Sequence, residues 1–333
     1  MQHWTLSGRH YEMGLQQGTA LREAGRTVLD EVPFPLTHRL REFARACMPA
    51  YERWFPAILE ELRGLADGQG CAFADLSAVL LTMYCFVPEV HCSVFAVCRN
   101  GRTILGRNSD FLPALEALNA NCLYQFSDGR GFLGNTTAFL EMEDGVNRWG
   151  FAAGLTSVAP VRPEPGLNAG MLLRLLLETC RNVEEALTLL RQVPTASSHT
   201  LVLADRQGGI ALVESAGNHM EVRNPKDRFV CAVNAFHLPA MQPYGQPVED
   251  TWFSEERYQT LIRALPNGVR EIEDAMDLLA GKKGFLCQYD RGTGKDTVWS
   301  VVYDLTAGCT YRAEGNPARK PFRRDDRLSS MEH

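Results

Sequence analysis

The sequence lacks several patterns that would place it among membrane or secreted proteins. Its longest apolar run, Leu76–Val87, contains Ser77 and Thr82 and is too short to span a bilayer. The opening residues, Met1–Arg9, are polar and include no apolar stretch of the kind found in signal peptides. The chain also has no internal repeat, no low-complexity segment and no linker rich in proline and serine. We therefore expect a soluble cytoplasmic protein that has no membrane partner.

Signatures of metal and nucleic-acid binding are missing as well. The ten cysteines include no pair at CxxC spacing, and none of the eight histidines shows HxxxH or HExxH spacing. This predicts no metal, no cofactor and no disulfide scaffold. The net charge of −6 argues against a nucleic-acid partner, since the only basic block is the mixed-charge tail Arg319–Arg327. We expect that tail to be a solvated terminus.

The pattern of residues divides the chain at position 91. Residues 1–91 have helical periodicity, with helices predicted at Tyr11–Asp30, Thr37–Ala46, Phe55–Ala66 and Ala74–Phe86. After this point strand-like runs dominate, and two groups of strands are each followed by a pair of helices. This order predicts an α+β fold with antiparallel sheets and helices packed outside them. We interpret the whole chain as one folding unit.

The strand pattern is least regular after residue 120. Asn121–Phe126 and Thr136–Glu141 are predicted strands, separated by the glycine-rich sequence SDGRGFLGN, which predicts a turn. Glu143–Gly145 predicts another turn, and Gly150–Ser157 predicts the next strand.

The segment His91–Phe111 is predicted to form a β-hairpin. Two strand-like runs are joined by Asn100-Gly101, and Asn-Gly is typical of the type I′ turn, in which both central residues need positive φ. Such a turn places Cys92 opposite Ser109. Because successive side chains alternate between the faces of a sheet, Arg107 then shares a face with Cys92.

This hairpin gathers a thiol, a guanidinium, an amide and a carboxylate at one end of a sheet, from Cys92, Arg107, Asn108 and Asp110. The thiol is the strongest nucleophile among them. A competing interpretation is a buried core cysteine beside a polar turn, because cysteine is among the most buried residue types.

The order Cys-Ser-x-Phe-x-Val, Asn-Gly and Gly-x-Asn-x-Asp resembles the start of the mature chain in the isopenicillin N acyltransferase-like family, also called acyl-CoA:6-aminopenicillanate acyltransferase-like. It is more distantly similar to choloylglycine hydrolases and penicillin V acylases. All are N-terminal nucleophile (Ntn) hydrolases, whose precursor cuts itself just before the cysteine. GVNRWGFAAGLTSV, TVWSVVYDL and GRHYEMGLQQG extend the resemblance over nearly the whole chain.

The resemblance implies a four-layer α/β/β/α sandwich with a helical N-terminal pro-segment. Residues 1–91 would form the pro-segment, the α chain after self-cleavage, and residues 92–333 the catalytic β chain. The expected reaction opens the linear amide of an N-acylated small molecule through a thioester on Cys92, and transfers the acyl group to water or an amine. An acyl thioester is an alternative donor.

A thiol needs a base, because its ordinary pKa of about 8.5 leaves it mostly protonated at neutral pH. In the family that base is the α-amino group freed by cleavage, with a pKa of about 7.7–8.0. Asp110 and Arg107 match the family positions that hydrogen-bond around the nucleophile. Asn234 matches a candidate oxyanion donor, and Arg257 matches the arginine that completes the polar network. Taken alone, Asn234 is equally well explained as a residue that ends a strand. Arg257 taken alone is better explained as a surface helix arginine paired with Glu255 or Glu256.

Two positions depart from the family pattern. His91 stands before the nucleophile where glycine is usual, and glycine adopts a strained backbone more readily. Thr156 stands where some relatives carry Asn, and its hydroxyl is a candidate oxyanion donor. Asn108, Phe111 and His237 are further candidates for oxyanion or substrate contact.

Two other functions stay open. An unprocessed Cys–His hydrolase would pair Cys92 with His199, His219 or His237, and a non-catalytic binding protein would keep the fold without processing. The substrate pocket is expected to use the end of the pro-segment and the loops at 111–118, 129–134 and 160–167. Apolar side chains there favour an apolar acyl group; they are Phe111, Leu112, Leu115, Phe132 and Leu133. The assembly of copies into a homo-oligomer stays open.

Overall fold

The computed structural model describes residues 1–32, 34–86, 91–225 and 228–330. The helices are α1 (His10–Glu23), α2 (Val28–Glu31), α3 (His38–Trp54), α4 (Pro56–Gln69), α5 (Phe73–Leu80), α6 (Ala169–Thr179), α7 (Val183–Leu190), α8 (Ser254–Gly268) and α9 (Ile272–Leu279). The strands are β1 (Gln2–Gly8), β2 (His91–Arg99), β3 (Arg102–Phe111), β4 (Ala120–Phe126), β5 (Gly131–Thr136), β6 (Asp144–Asn147), β7 (Phe151–Ser157), β8 (Ser198–Asp205), β9 (Ile210–Ala216), β10 (His219–Arg223), β11 (Phe229–Ala232), β12 (Asp296–Asp304), β13 (Cys309–Ala313) and β14 (Arg323–Asp325).

The strands form two sheets. An eight-stranded sheet has the order β1-β4-β5-β6-β7-β8-β9-β10, and a six-stranded sheet has the order β11-β2-β3-β12-β13-β14. The paired strands run antiparallel except for β1 and β4, which are parallel. The predicted antiparallel architecture is therefore confirmed.

The sheets face each other and carry helices on their outer faces. Along β2, Val94 and Ala96 lie in the core between the sheets, whereas Phe95 and Val97 pack toward α8 and α9. This division follows from the alternation of side chains along a strand. On the eight-stranded sheet, α6 and α7 cover the outer face. The result is the predicted four-layer α/β/β/α arrangement.

The N-terminal segment is not purely helical, which corrects the prediction for residues 1–91. Its first element, β1, pairs with β4 and so forms an edge of the eight-stranded sheet. Helices α1 and α4 pack backbone to backbone: a Cβ atom added to Gly14 would lie 2.0 Å from the carbonyl oxygen of Glu61, and one added to Gly64 would lie 2.0 Å from that of Tyr11. The N-terminal segment therefore belongs to the same folded body as the sheets.

The predicted turn and strand between residues 127 and 141 were wrong. The glycine-rich stretch predicted as a turn contains β5, while Thr136–Glu141, predicted as a strand, is almost entirely turn and bend. The tail also forms a strand, β14, which pairs with β13. Most side chains of this tail are exposed, as expected of a solvated terminus, but Asp325 binds Arg312 at 2.9 Å and Arg327 at 2.5 Å and so holds the strand in place.

Candidate active site

The β2–β3 hairpin has the predicted register. Asn100 and Gly101 have φ of 50° and 76°, as a type I′ turn requires. Cys92 lies opposite Ser109, and His91 lies opposite Asp110. The local turn alone therefore aligns the cysteine with the polar residues of the returning strand.

Arg107 binds the sulfur of Cys92. Its Nη2 donates to Cys92 Sγ at 2.8 Å and to Glu143 Oε2 at 3.0 Å, while its Nη1 donates to Asp144 Oδ2 at 2.8 Å. All four side chains are buried. Two carboxylates thus share one guanidinium, and the cluster holds Arg107 in place without leaving a surplus of positive charge beside the thiol.

Glu143 and Asp144 are site residues that the sequence interpretation placed in a turn. Glu143 also accepts hydrogen bonds from Ser109 Oγ, Tyr84 Oη and the backbone and hydroxyl of Thr137. Asp144 accepts from Trp299, Tyr303 and Asn135. In sequence, an acidic pair followed by glycine looks the same whether it forms an exposed turn or the buried partners of an arginine.

Burial raises the pKa of Cys92 to about 12, with the nearby carboxylates of Glu143 and Asp110 adding to the shift and Arg107 opposing it. The thiol of the uncut chain is therefore protonated at neutral pH. Among the described histidines, none lies within hydrogen-bonding distance of Cys92 Sγ. A base must reach this thiol from elsewhere if it is to act as a nucleophile.

Asn234 and Arg257 bind the main chain of Cys92. The Cys92 N–H donates to Asn234 Oδ1 at 2.9 Å, and Arg257 Nη1 donates to the Cys92 carbonyl oxygen at 2.6 Å. Arg257 Nη2 donates to the same Asn234 Oδ1 at 3.0 Å, and Asn234 Nδ2 donates to the carbonyl oxygen of Ser157 at 2.9 Å. Arg257 is completely buried, so it is not a surface arginine of α8.

Asp110 lies beside the same group of residues. Its carboxylate accepts from Thr297 Oγ1 at 2.6 Å and from Tyr289 Oη at 3.1 Å, and it lies 3.7 Å from Arg257 Nη1. Burial raises the pKa of Asp110 to about 6, although Arg257 and the two hydroxyl donors favour the ionised form. Thr297 and Tyr289 are supporting residues that the sequence did not indicate.

Other candidates have different surroundings. Asn108 donates to the carbonyl oxygen of Leu279 at 3.0 Å and so anchors α9. The Thr156 hydroxyl donates to the carbonyl oxygen of Val233 at 2.6 Å and lies 2.8 Å from Thr200 Oγ1. These contacts occupy the Thr156 hydroxyl in this structure and tie Asn108 to the helical layer.

The histidines proposed for a Cys–His pair are engaged elsewhere. His237 stacks on Tyr258 with ring centroids 3.5 Å apart, and its Nε2 lies 3.4 Å from Glu255 Oε2. His199 is buried beside the carbonyl oxygen of Ser197, and His219 stacks on Tyr244.

A cavity of about 490 Å³ adjoins the polar cluster around Arg107, and its size is typical of a small-molecule site. Its walls come from residue 32 and the segments 34–40, 82–86, 111–118 and 137–139 and are mainly apolar. Two of its lining residues, Tyr84 and Thr137, bind Glu143, which in turn binds Arg107. The predicted lining residues Phe111 and Leu115 are present, but Phe132 and Leu133 lie in the protein core instead.

A smaller cavity of about 290 Å³ lies on the main-chain side of Cys92. His91, Asn234, Trp252 and Ser254 contribute to its walls. The larger cavity thus lies beside partners of the Cys92 side chain, and the smaller one beside partners of its main chain.

Within the described ranges, no group of three or more His, Cys, Asp or Glu residues is arranged to hold a metal ion. A search of the helices in the same ranges finds none with the length and apolar character needed to cross a membrane.

Solved structures with a similar arrangement include three acylases and amidases. Penicillin V acylase from Agrobacterium tumefaciens is 15% identical, with 67% of this chain and 82% of that chain covered and a TM-score of 0.40. The Caenorhabditis elegans N-acylethanolamine-hydrolyzing acid amidase ortholog is 15% identical, with 65% of this chain and 93% of that chain covered and a TM-score of 0.48. A mutant of conjugated bile acid hydrolase from Clostridium perfringens is 14% identical, with 72% of this chain and 93% of that chain covered and a TM-score of 0.46. Among curated proteins, no match is found.

The layered sheets and the hairpin cysteine place the chain in the class of N-terminal nucleophile hydrolases. The model of one family, acyl-coenzyme A:6-aminopenicillanic acid acyl-transferase, matches residues 97–319, which is most of the chain, and the chain belongs to that family. It is thus an enzyme of the acylase or acyltransferase type. Cys92 lies just before the matched residues.

Proposed function

We propose that the chain cuts itself between His91 and Cys92 and then uses Cys92 as the N-terminal nucleophile of an amidohydrolase or acyltransferase. One observation carries this proposal: the sulfur, nitrogen and carbonyl oxygen of Cys92 are each bound by a predicted site residue, Arg107, Asn234 and Arg257 respectively. A cysteine that served only the core would need none of these contacts.

The self-cleavage would proceed by an acyl shift from nitrogen to sulfur. Cys92 Sγ attacks the His91 carbonyl carbon, the new S–C bond replaces the C–N bond, and the thiol proton passes to the departing nitrogen. Water then hydrolyses the thioester, which restores the thiol and leaves a carboxylate on His91. The products are residues 1–91 and residues 92–333, the second with a free α-amino group on Cys92.

That amino group is the proposed base. It stands in the position of the present Cys92 N–H, where Asn234 Oδ1 accepts at 2.9 Å, and Asp110 lies opposite His91 in the neighbouring strand. In turnover the amine takes the thiol proton while Sγ attacks the substrate amide, and the proton is passed to the leaving amine. We assign Asn234 as an oxyanion donor through its amide group, together with backbone N–H groups.

The substrate class we propose is an N-acyl amide with an apolar acyl group. The larger cavity supports this, since its walls include Val32, Phe34, Met83, Phe111 and Leu115. Its lining residue Tyr84 binds Glu143, a partner of the arginine that holds the Cys92 thiol. The acceptor is water for hydrolysis or an amine for acyl transfer.

The direct test is to incubate the purified enzyme with a panel of N-acyl amides and to measure free amine together with intact mass. We expect the fragment that begins at Cys92 to gain the mass of the acyl group during turnover, as a thioester that hydroxylamine removes. A Cys92→Ala variant should show neither product. A wild-type protein that binds the amides but releases no amine and gains no acyl mass would instead be a binding protein.

The pH dependence of the mature enzyme should identify the base. We expect kcat/KM to rise with pH and to level off above about pH 8, because the amine must be unprotonated to accept the thiol proton. His237→Ala should leave this profile unchanged. An acid limb below pH 6.5, since burial lowers the pKa of His237, would indicate the Cys–His alternative instead if it is lost together with activity in His237→Ala.

The larger cavity should set a preference for acyl length. Each added methylene that enters it is expected to raise kcat/KM about fourfold, from a transfer free energy of about 0.8 kcal/mol. Leu115→Trp should reduce the rate with long acyl groups while sparing an acetyl substrate, since the added ring fills the cavity. Val161→Trp, at an exposed position outside the cavity walls, is the matched control. Equal loss with long and short acyl groups would contradict this assignment.

A further inference from the structure

His91 packs against an aromatic ring that also lines the smaller cavity. Its imidazole stacks on Trp252 with ring centroids 4.4 Å apart and an interplanar angle of 14°. Burial lowers the pKa of His91 to about 3, and Arg257 and Lys295 act in the same direction. The stacked ring is therefore neutral over the physiological range, and its contact with Trp252 does not depend on a charge.

Trp252 is itself tied to the residues around Cys92. Its carbonyl oxygen accepts from Arg257 Nε at 3.0 Å and lies 3.2 Å from Tyr289 Oη, which also lies near Asp110. The Tyr289 ring meets the Trp252 ring edge-on at 5.5 Å. The position of the Trp252 ring is thus fixed by the same side chains that hold Cys92 and Asp110.

The residue after Trp252 has a strained backbone at the turn that places Trp252 against His91. Phe253 has φ of 54°, in the left-handed region that side chains other than glycine rarely adopt. This residue forms the turn between Trp252 and Ser254, whose hydroxyl accepts the Asn234 N–H at 3.1 Å. The turn lets one short segment contact both His91 and Asn234, one on each side of the bond between residues 91 and 92.

We infer that Trp252 is a positioning residue for self-cleavage: by stacking on His91 it holds the His91 carbonyl in line with Cys92 Sγ. This inference rests on the proposed self-processing and adds a residue that touches no reacting atom. It also explains how this chain can carry histidine where glycine is usual. Glycine reaches the geometry needed for attack through its flexible backbone, whereas histidine is held in that geometry by the stack. A planar side chain at position 91 then speeds this chain's cleavage.

The test measures the rate of cleavage in chains made by cell-free synthesis, with samples stopped at intervals and the uncut and cut species separated by mass. We expect Trp252→Ala to slow cleavage about tenfold, the upper range for a lost aromatic pair. Trp252→Phe and His91→Phe should both stay close to wild type because each keeps a stacked pair.

A double-mutant cycle separates this role from a merely structural one. In a His91→Ala chain the stack is already lost, so adding Trp252→Ala should slow cleavage little further. Equal slowing by Trp252→Ala in both backgrounds, or no slowing in either, would overturn the inference while leaving self-processing intact. A wild-type chain that never cleaves would overturn the proposed processing, and the role of Trp252 with it.

Discussion

Purified wild-type protein is expected to give two masses, for residues 1–91 and residues 92–333, whereas Cys92→Ala should give one intact chain. The reason is that only a thiol or hydroxyl at position 92 can attack the preceding carbonyl. Arg107, Asn234 and Arg257 bind the sulfur, the backbone nitrogen and the carbonyl oxygen of Cys92, so every polar atom of this residue has a partner. Intact mass spectrometry reads the outcome directly, and sequencing of the new N-terminus should begin at Cys92.

The matched control is Cys98→Ala, which removes a thiol from the same strand and the same face without touching the site. It should be cut as completely as wild type. A single intact wild-type chain would remove the proposed base and leave Cys92 either dependent on a histidine or catalytically silent. Labelling of Cys92 with a small electrophile would decide between these two, since a silent buried thiol would not react.

Arg174→Ala is expected to lower the free energy of unfolding by about 3–5 kcal/mol, the cost of leaving buried carboxylates without their partner. Arg174 is completely buried; its Nη2 binds Glu61 Oε2 at 2.5 Å and its Nε binds Glu178 Oε1 at 2.8 Å. Its Nη1 also donates to Tyr124 Oη at 2.9 Å. Denaturant unfolding of Cys92→Ala chains with and without Arg174→Ala measures this loss in a single uncut chain.

This cluster also bridges the proposed fragments, because Glu61 lies in the N-terminal segment and Arg174 in α6. In a cut protein, Arg174→Ala should therefore favour separation of the fragments, seen as two peaks on dilution in size-exclusion chromatography. Arg45→Ala, which breaks an exposed ion pair with Glu42 in α3, should change stability by no more than about 1 kcal/mol. A similarly small loss for Arg174→Ala would show that the cluster contributes little to joining the two segments.

The sequence predicted the parts of the site that depend on short-range structure. The Asn100-Gly101 turn determined the register of β2 and β3, and with it the positions of Cys92, Arg107 and Asp110. Asn234 and Arg257 lie more than a hundred residues further along, and only the family resemblance indicated them. No local pattern carries such information, because their contacts with Cys92 depend on how β11 and α8 pack against the hairpin.

The remaining features depended on tertiary structure. Glu143 and Asp144 resemble a turn in sequence but become the buried partners of Arg107 where the two sheets meet. Strand β1 was missed because its partner β4 is distant in the chain, and parallel pairing leaves no hairpin signal between them. The stack of His91 on Trp252 likewise joins two segments that are distant in the chain, so no local pattern in the sequence indicates it.

By itself, then, the sequence determined the class of fold and the hairpin that carries Cys92. These follow from hydrophobic periodicity and turn chemistry, which act over a few residues. Only the tertiary structure decided which carboxylates hold Arg107, which cavity adjoins that cluster and which ring stacks on His91. These three features depend on burial and on contacts between distant segments. Such contacts are determined by the packing of the whole chain, because no single segment contains both partners.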